Sequence, residues 1–275
     1  MRPSAFGVAL WASACVALSF LLLPIVAIFS ELTLGELRAG LTSDVARDAL
    51  RVTLETNLVA MVLIVLFGTP TAYLLASREF RGRTLLVTLV ELPLVLPPAV
   101  AGIGLLAAFG RLGLLGGTME SLGLDIAFTK TAVVLAVTFV ASPFYVRTAI
   151  AAFEAVDRDL VAASRTLGAG PARTFFRVAL PLAGGGLGAG AALAFARGLG
   201  EFGATIMFAG SLQGVTQTLS LAIYQEFDVD FDTALAIGAL LVVGSALVLL
   251  AAKVIPAWRR STSTSTTLFA PSASR

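Results

Sequence analysis

Residues 155–182 read AVDRDLVAASRTLGAGPARTFFRVALPL. Elementary helix rules parse this stretch as a short helix, a break and a second start. Asp157 or Asp159 can accept backbone N–H groups in a first turn. Helix-compatible residues run from Leu160 to Leu167, and Gly168 and Gly170 stop them. Pro171 suits the opening turn of a new helix, where no N–H is needed. Arg173 and Arg177 stand four apart, on one helix face. Phe175 and Phe176 offer an apolar anchor for a membrane boundary, and Leu180-Pro181 opens a long apolar run. Taken alone, the segment equally fits a solvated loop between two helices.

Apolar runs lie on both sides of it. A helix needs about 20 apolar residues to cross the hydrocarbon core. Six stretches meet that need: 6–29, 52–76, 84–110, 131–153, 178–207 and 233–255. Arg2 and the small residues at 12–14 give the first stretch the look of a secretory signal. Its apolar run is longer than the roughly 7–15 residues of such signals, and no A-x-A site closes it. It reads as an uncleaved helix.

Charge then orients the spans. Segments 1–5, 77–83, 154–177 and 256–275 hold eleven arginines and lysines, whereas 30–51, 111–130 and 208–232 hold five. Basic residues concentrate in cytoplasmic loops. The first set, including both termini, is therefore expected in the cytoplasm, which requires an even number of spans. The expected layout is an N-terminal membrane helix with an outer loop over 1–50, a membrane domain over 51–256 with a cytoplasmic loop at 154–177, and a disordered cytoplasmic tail over 257–275. Serine and threonine fill residues 261–267 of that tail. No internal repeat is visible.

Composition agrees and excludes rivals. Of 275 residues, 57% are hydrophobic and 13% are charged, against about 25% charged in an ordinary soluble domain. The mean hydropathy is +0.93. A nucleic-acid-binding domain, a disordered chain and a disulfide scaffold are excluded. The chain has no histidine and one cysteine, Cys15, so it offers no Cys/His metal site, no Ser-His-Asp triad and no internal disulfide. Neither lysine, Lys130 or Lys253, sits in a Walker A sequence. No cofactor or metal ligand set is expected. Asp228, Asp230 and Asp232 imitate the start of a calcium loop, but Thr233 replaces its glycine and Ala239 its final glutamate. Asp232 reads instead as a helix cap.

The 155–182 segment resembles the coupling loop of permease subunits of ATP-binding-cassette importers. Their pattern is E-A-A, three variable residues, G, and about a dozen residues to L-P. Gly168 and Leu180-Pro181 match in spacing, as do the residues through Leu167, while Ala162-Ala163-Ser164 replace E-A-A. The glutamate is missing, which puts a specific salt bridge to an ATPase in doubt and leaves the docking helix intact. Residues 196–226, ARGLGEFGATIMFAGSLQGVTQTLSLAIYQE, resemble the molybdate and tungstate importer permeases, with their G-E-F-G-A-T core and T-Q-T-x-x-L-A-I-Y run. The third span, with LPLVLPPAVAGIGLLAAFGRLGLLG, supports this. Sulfate permeases are close relatives, and Phe202 with the T-Q-T run favours molybdate. The resemblance covers roughly residues 50–255.

It implies an all-α, polytopic helical bundle of six spans with the type I importer permease fold, in the cytoplasmic membrane of a prokaryote. It implies no catalysis by this chain. Separate cytoplasmic ATPases would dock on a loop containing Asp159, Ala162, Ala163, Ser164, Leu167, Gly168, Arg173, Leu180 and Pro181. An extracytoplasmic binding protein would deliver the oxyanion, and a second copy of the chain would complete the pore. The implied cycle is alternating access, powered by the ATPases.

The residues make physical sense beside the resemblance. Pro97 and Pro98, with Pro93 and Glu91, interrupt the third span, which lipid does not tolerate unless protein or water lies alongside. That span is expected to face the pore, with Glu91 snorkelling toward the cytoplasmic interface. Arg197 and Glu201 are four apart within the expected fifth span, and intramembrane charges default to function. Arg197 either tunes the pore for an anion or is simply neutralised by Glu201. Thr205, Thr216, Gln217 and Thr218 are either weak pore contacts or caps of an outer loop. Gly184, Gly185, Gly186, Gly188 and Gly190 are either a pore wall or ordinary close packing. An ion-coupled secondary transporter would need ionisable relays at mid-membrane and an inverted repeat, and a membrane enzyme would need paired catalytic groups. Neither set is visible.

Overall fold

Among the described residues five helices are long and apolar enough to cross a membrane, and six spans result if a sharply bent helix pair counts as one. The computed structural model describes residues 5–263. In chain order it contains α1 (Ala5–Ser30), α2 (Leu34–Thr42), α3 (Asp44–Ser77), α4 (Arg83–Val95), α5 (Pro98–Phe109), α6 (Gly116–Ser121), α7 (Lys130–Glu154), α8 (Arg158–Thr166) and α9 (Pro171–Thr174). A π-helical turn (Phe175–Ala179) then leads into α10 (Leu180–Leu199), α11 (Gly203–Ala209), α12 (Leu219–Glu226) and α13 (Phe231–Ser263). No strand occurs among the described residues.

The bundle is organised around α7. Its buried residues Val133, Ala136, Val137, Val140 and Ala141 recur at helical spacing and continue through Tyr145, Ala149 and Phe153. It packs along α3 and α10 and also meets α4, α5 and α11. Alanine and glycine dominate these contacts, which lets helix backbones approach closely where lipid supplies no hydrophobic drive. Gly68 shows the need: a Cβ there would lie 2.9 Å from the Tyr145 ring. The same contact carries a polar tie. Thr69 donates its hydroxyl proton to the Val65 carbonyl at 2.7 Å, so the Tyr145 hydroxyl donates to Thr69 at 2.6 Å. By contrast, the most apolar window of α1 buries nothing, and that helix lies on the outside beside α13.

Several boundaries differ from those read in the sequence. The third span is two helices meeting at 113°, because Pro97 and Pro98 sit at the start of α5 and cannot continue α4. The expected fifth span of 178–207 ends at Leu199, and Gly203–Ala209 forms a separate short helix. The expected outer loop at 30–51 is largely helical. There, α2 opens with a capping box between Thr33 and Glu36, and α3 begins at Asp44. At ~1.5 Å per residue, α3 exceeds the ~30 Å hydrocarbon core. The domain edge expected at residue 50 thus falls inside α3, whose Ala46 and Ala49 pack with Leu219, Ala222 and Ile237. The last helix runs to Ser263, into the stretch expected as a tail; residues 264–275 of that tail lie outside the described residues. Finally, Asp230 caps α13, not Asp232. It accepts from the Thr233 N–H at 3.2 Å and its hydroxyl at 2.6 Å, and these bonds hold its carboxyl below the usual range.

Two glycines on α5 test how tightly the bent span is held. A Cβ at Gly102 would lie 2.6 Å from the Ala204 carbonyl oxygen, whereas one at Gly104 meets nothing within 4 Å. Gly102→Ala is expected to destabilise by about 1–3 kcal/mol. Gly104→Ala is expected to be neutral or to stabilise by up to ~1 kcal/mol through helix propensity. Thermal unfolding of the two purified variants in one detergent makes the comparison.

Candidate functional site

Two helix breaks come together behind α7. The first lies between α4 and α5, the second at residues 200–202 between α10 and α11, and α5 packs directly on α11. Contact is close: a Cβ at Gly203 would lie 2.6 Å from that of Pro98. Four backbone N–H groups at the broken ends are satisfied within the chain. The Leu96 N–H bonds to Leu92, Ala101 to Pro97, Glu201 to Gly198 and Ile206 to Phe202, all at 2.9–3.2 Å. Irregular backbone at membrane depth requires this protection.

Glu201 joins the two sides of the second break. Its carboxylate is buried, and Oε1 accepts from the Ala204 N–H at 2.9 Å. Oε2 lies 2.7 Å from an Arg197 guanidinium nitrogen, an ion pair whose angle is off that of a directed hydrogen bond. The pair therefore forms, but across a helix end and not along one continuous face. Arg197 occupies the last turn of α10, where the helix dipole favours a cation. Its side chain keeps 29% of its exposure. It is the single charged group on a cavity of about 100 Å³ otherwise lined by apolar residues, among them Pro93, Leu96, Pro98, Val140 and Phe144. Glu201 thus pairs with Arg197, which also borders a cavity at the bend of the third span. Pro97 stands at the bend itself, as the residue before α5.

The other polar residues singled out in the sequence are placed elsewhere. Thr205, Thr216, Gln217 and Thr218 are buried, and none lines the Arg197 cavity. The Thr216 hydroxyl accepts from the Leu212 N–H at 3.0 Å, closing a loop turn. Gln217 donates its amide to Gln225, and Thr218 precedes α12. Residues 203–209 and 216–222 thus pack into the bundle, with 212–215 exposed between them. Groups not anticipated in the sequence hold them there. Thr53 accepts from the Leu219 N–H at 2.8 Å and Ser220 donates to the Leu199 carbonyl at 3.2 Å, while Asn57 ties α3 to α10 through the Phe195 carbonyl at 3.1 Å. A signal was available: Thr53, Thr56 and Asn57 form a polar stripe at helical spacing in an apolar helix. Glu91 also has a partner that was missed, Arg147, at 3.0 Å. Of the α10 glycines, Gly186 and Gly190 press against Ala152 and Thr148 of α7, while Gly184, Gly185 and Gly188 meet nothing within 4 Å.

At the other end of α10 stands the loop of residues 155–182. Asp157 caps α8 by accepting from the Asp159 N–H at 2.8 Å, so Asp159 is the capped residue. The helix closes in a Schellman arrangement. Gly168 donates to the Arg165 carbonyl and Ala169 to that of Ser164, both at 3.0 Å. Gly168 has φ +83°, which favours glycine. Ser164 is tied to the buried Thr174 at 3.2 Å, which fixes α8 to α9. Ala162 faces the bundle, at the edge of a second cavity. Ala163 is exposed, and so are Leu160 and Leu167, at 50% and 88%. Arg173 lies in the last turn of α9, and Arg177 lies within the π turn that follows. Pro181 lies in the first turn of α10, beside Leu180.

The family model described as "Binding-protein-dependent transport system inner membrane component" matches residues 64–260. The chain is 46% identical over 237 residues to the molybdenum transport system permease protein ModB of Mycobacterium tuberculosis, covering 86% of this chain and 90% of that protein. It is 37% identical over 209 residues to the sulfate transport system permease protein CysW of Synechococcus elongatus, covering 76% and 73%. Among solved structures, a bacterial alginate ABC transporter in complex with a periplasmic protein matches with a TM-score of 0.71 at 16% identity, covering 91% of this chain and 93% of that one. That likeness establishes the fold.

The Glu201 junction is open to test. Glu201→Gln keeps an acceptor for the Ala204 N–H and loses the charge. Glu201→Ala loses both. A fully buried pair broken on one side costs about 3–5 kcal/mol; the residual exposure of Arg197 lowers this. Glu201→Gln is therefore expected to cost about 2 kcal/mol and Glu201→Ala about 1 kcal/mol more, the worth of one hydrogen bond. Melting temperatures of the two variants, ranked against the parent, give the order.

Proposed function

The chain belongs to the family of binding-protein-dependent transport system inner membrane components, and from that premise we propose that it is the membrane-spanning permease of an ATP-driven oxyanion importer whose cargo is molybdate. The observation that carries the machine is α8, a short helix locked by Asp157 and Gly168 at the end of the bundle, with Leu160 and Leu167 left exposed. Such a knob suits docking on a separate cytoplasmic ATPase. The chain itself supplies the path and no covalent chemistry. Support for the cargo comes from the 46% identity to a molybdenum permease over most of both chains, against 37% to a sulfate permease. Sulfate is the alternative cargo.

In this reading both termini and the α8 loop face the cytoplasm, which the surplus of arginine in their segments supports. Two copies of the chain pair around a central pore. The glycine-bare face of α10 at Gly184, Gly185 and Gly188 suits close helix approach. A binding protein delivers the oxyanion from outside. ATP draws the ATPases together, and each moves one α8. The π turn and α10 carry that displacement to the two helix breaks, and the Arg197 cavity changes the side on which it opens. Arg197 attracts the anion there, while Glu201 tempers that attraction so that the anion also leaves, as conduction demands.

The test is uptake of labelled molybdate into vesicles holding the chain with its ATPase and binding protein. Uptake should require ATP and resist excess sulfate. Gly168→Val forces a β-branched residue into a left-handed position, at about 1–2 kcal/mol or more, and should abolish most uptake while the complex still assembles. Gly168→Asn tolerates that backbone and should keep most of it. Uptake suppressed by sulfate would reassign the cargo. Uptake indifferent to ATP would overturn the importer.

A further inference from the structure

A second cavity, of about 690 Å³, opens beneath α8, between the ends of α3 and α7 and the start of α4. Its floor is apolar: Tyr73 and Phe153 stand edge to face at 5.2 Å, at the ends of two membrane helices. The Tyr73 ring continues into Phe175 at 4.7 Å and on to Phe176, which is 63% exposed. A row of packed aromatic rings thus links the floor to the exposed Phe176 on the outside of the bundle. The rim is charged, with four arginines against Glu79 and Glu154. Arg83 is already engaged, by the Leu75 carbonyl at 2.7 Å and by Glu154. Arg78, Arg158 and Arg165 are exposed and take part in no ion pair among the described residues.

Helical spacing sharpens the picture. Arg158, Val161, Ala162 and Arg165 share the face of α8 that lines the cavity. Leu160 and Leu167 lie off that face and stay exposed. One helix therefore presents a basic face inward and an apolar face outward.

We infer that this cavity holds the anionic headgroup of a membrane phospholipid. The phosphate sits among Arg78, Arg158 and Arg165, and the glycerol and upper acyl carbons lie on Tyr73 and along the Phe175–Phe176 row. Basic pockets between membrane helices on the cytoplasmic side match acidic headgroups. A free phosphate would leave the aromatic floor without a partner, and an acidic protein segment would not need a row of rings that leads out at Phe176. The bound lipid holds α8 from within while its outer face engages the ATPase, so the acidic-lipid content of the membrane tunes coupling. This rests on the cytoplasmic placement of α8 proposed above.

The experiment uses the permease–ATPase complex in neutral detergent, titrated with short-chain phosphatidylglycerol and followed by native mass spectrometry. The complex should bind phosphatidylglycerol in preference to phosphatidylcholine. Each removed arginine should weaken binding roughly fivefold, so that Arg78→Gln with Arg158→Gln weakens it about 25-fold. Arg78→Lys should retain most of the binding, which separates lost charge from misfolding. Equal binding by the parent and the double variant would overturn the site. Displacement by inorganic phosphate as effective as by phosphatidylglycerol itself would make it a plain anion site and overturn the lipid. Molybdate uptake is measured alongside in vesicles with and without phosphatidylglycerol. Selective lipid binding with no ATP-driven uptake in either would uphold the cavity and contradict only the importer.

Discussion

An unpaired backbone group in hydrocarbon is costly, and this chain breaks two of its membrane helices. The rest of the structure follows from how the breaks are protected. They are placed against each other, with Pro98 on Gly203 and Gly102 on Ala204, and α7 covers them. Small residues are needed there because a Cβ at Gly102 would collide with the Ala204 carbonyl and one at Gly203 with the Pro98 ring. A carboxylate is needed too: Glu201 holds an N–H of the first turn of α11 and the last cation of α10 in one place. The result is a fixed cation beside a small cavity.

That arrangement gives α10 a particular place in the molecule. One end emerges from the π turn that follows α9, and α9 is tied to α8 through Thr174 and Ser164. The other end stops at Arg197 and the break. A helix of this length spans about 30 Å. It is a rigid connection between the exposed helix at one end of the bundle and the charged junction inside it. On the proposed reading, force applied at α8 reaches the path along this element, and the open Gly184–Gly185–Gly188 face leaves it room to move.

Much of this was legible in the residues because the signals are local. Apolar length marked the spans, and Asp157, Gly168 and Pro171 marked the ends of α8 and the start of α9, since capping and left-handed turns depend on neighbours only. What escaped depends on partners distant in sequence. Glu201 was expected on the helix of Arg197 because spacing alone cannot reveal a helix end at Leu199. Thr53 and Asn57 looked like ordinary span residues until the chain near residues 195 and 219 folded onto them. The four polar residues between 205 and 218 were legible as polar but not as buried. The bend at Pro97-Pro98 was legible, while its 113° angle was not, because that angle is set by where α11 offers a surface.

The most direct measurement is thiol accessibility at the cavity beside Arg197. A single cysteine replaces Leu94, which lines that cavity, in a chain whose Cys15 is changed to serine. The complex with its ATPase is placed in vesicles, and a membrane-impermeant thiol reagent is added from one side or the other. The expected result is that labelling changes side when ATP is trapped with vanadate, and that Gly168→Val abolishes the change. Labelling from one side only, whatever the nucleotide, would contradict a cavity coupled to α8.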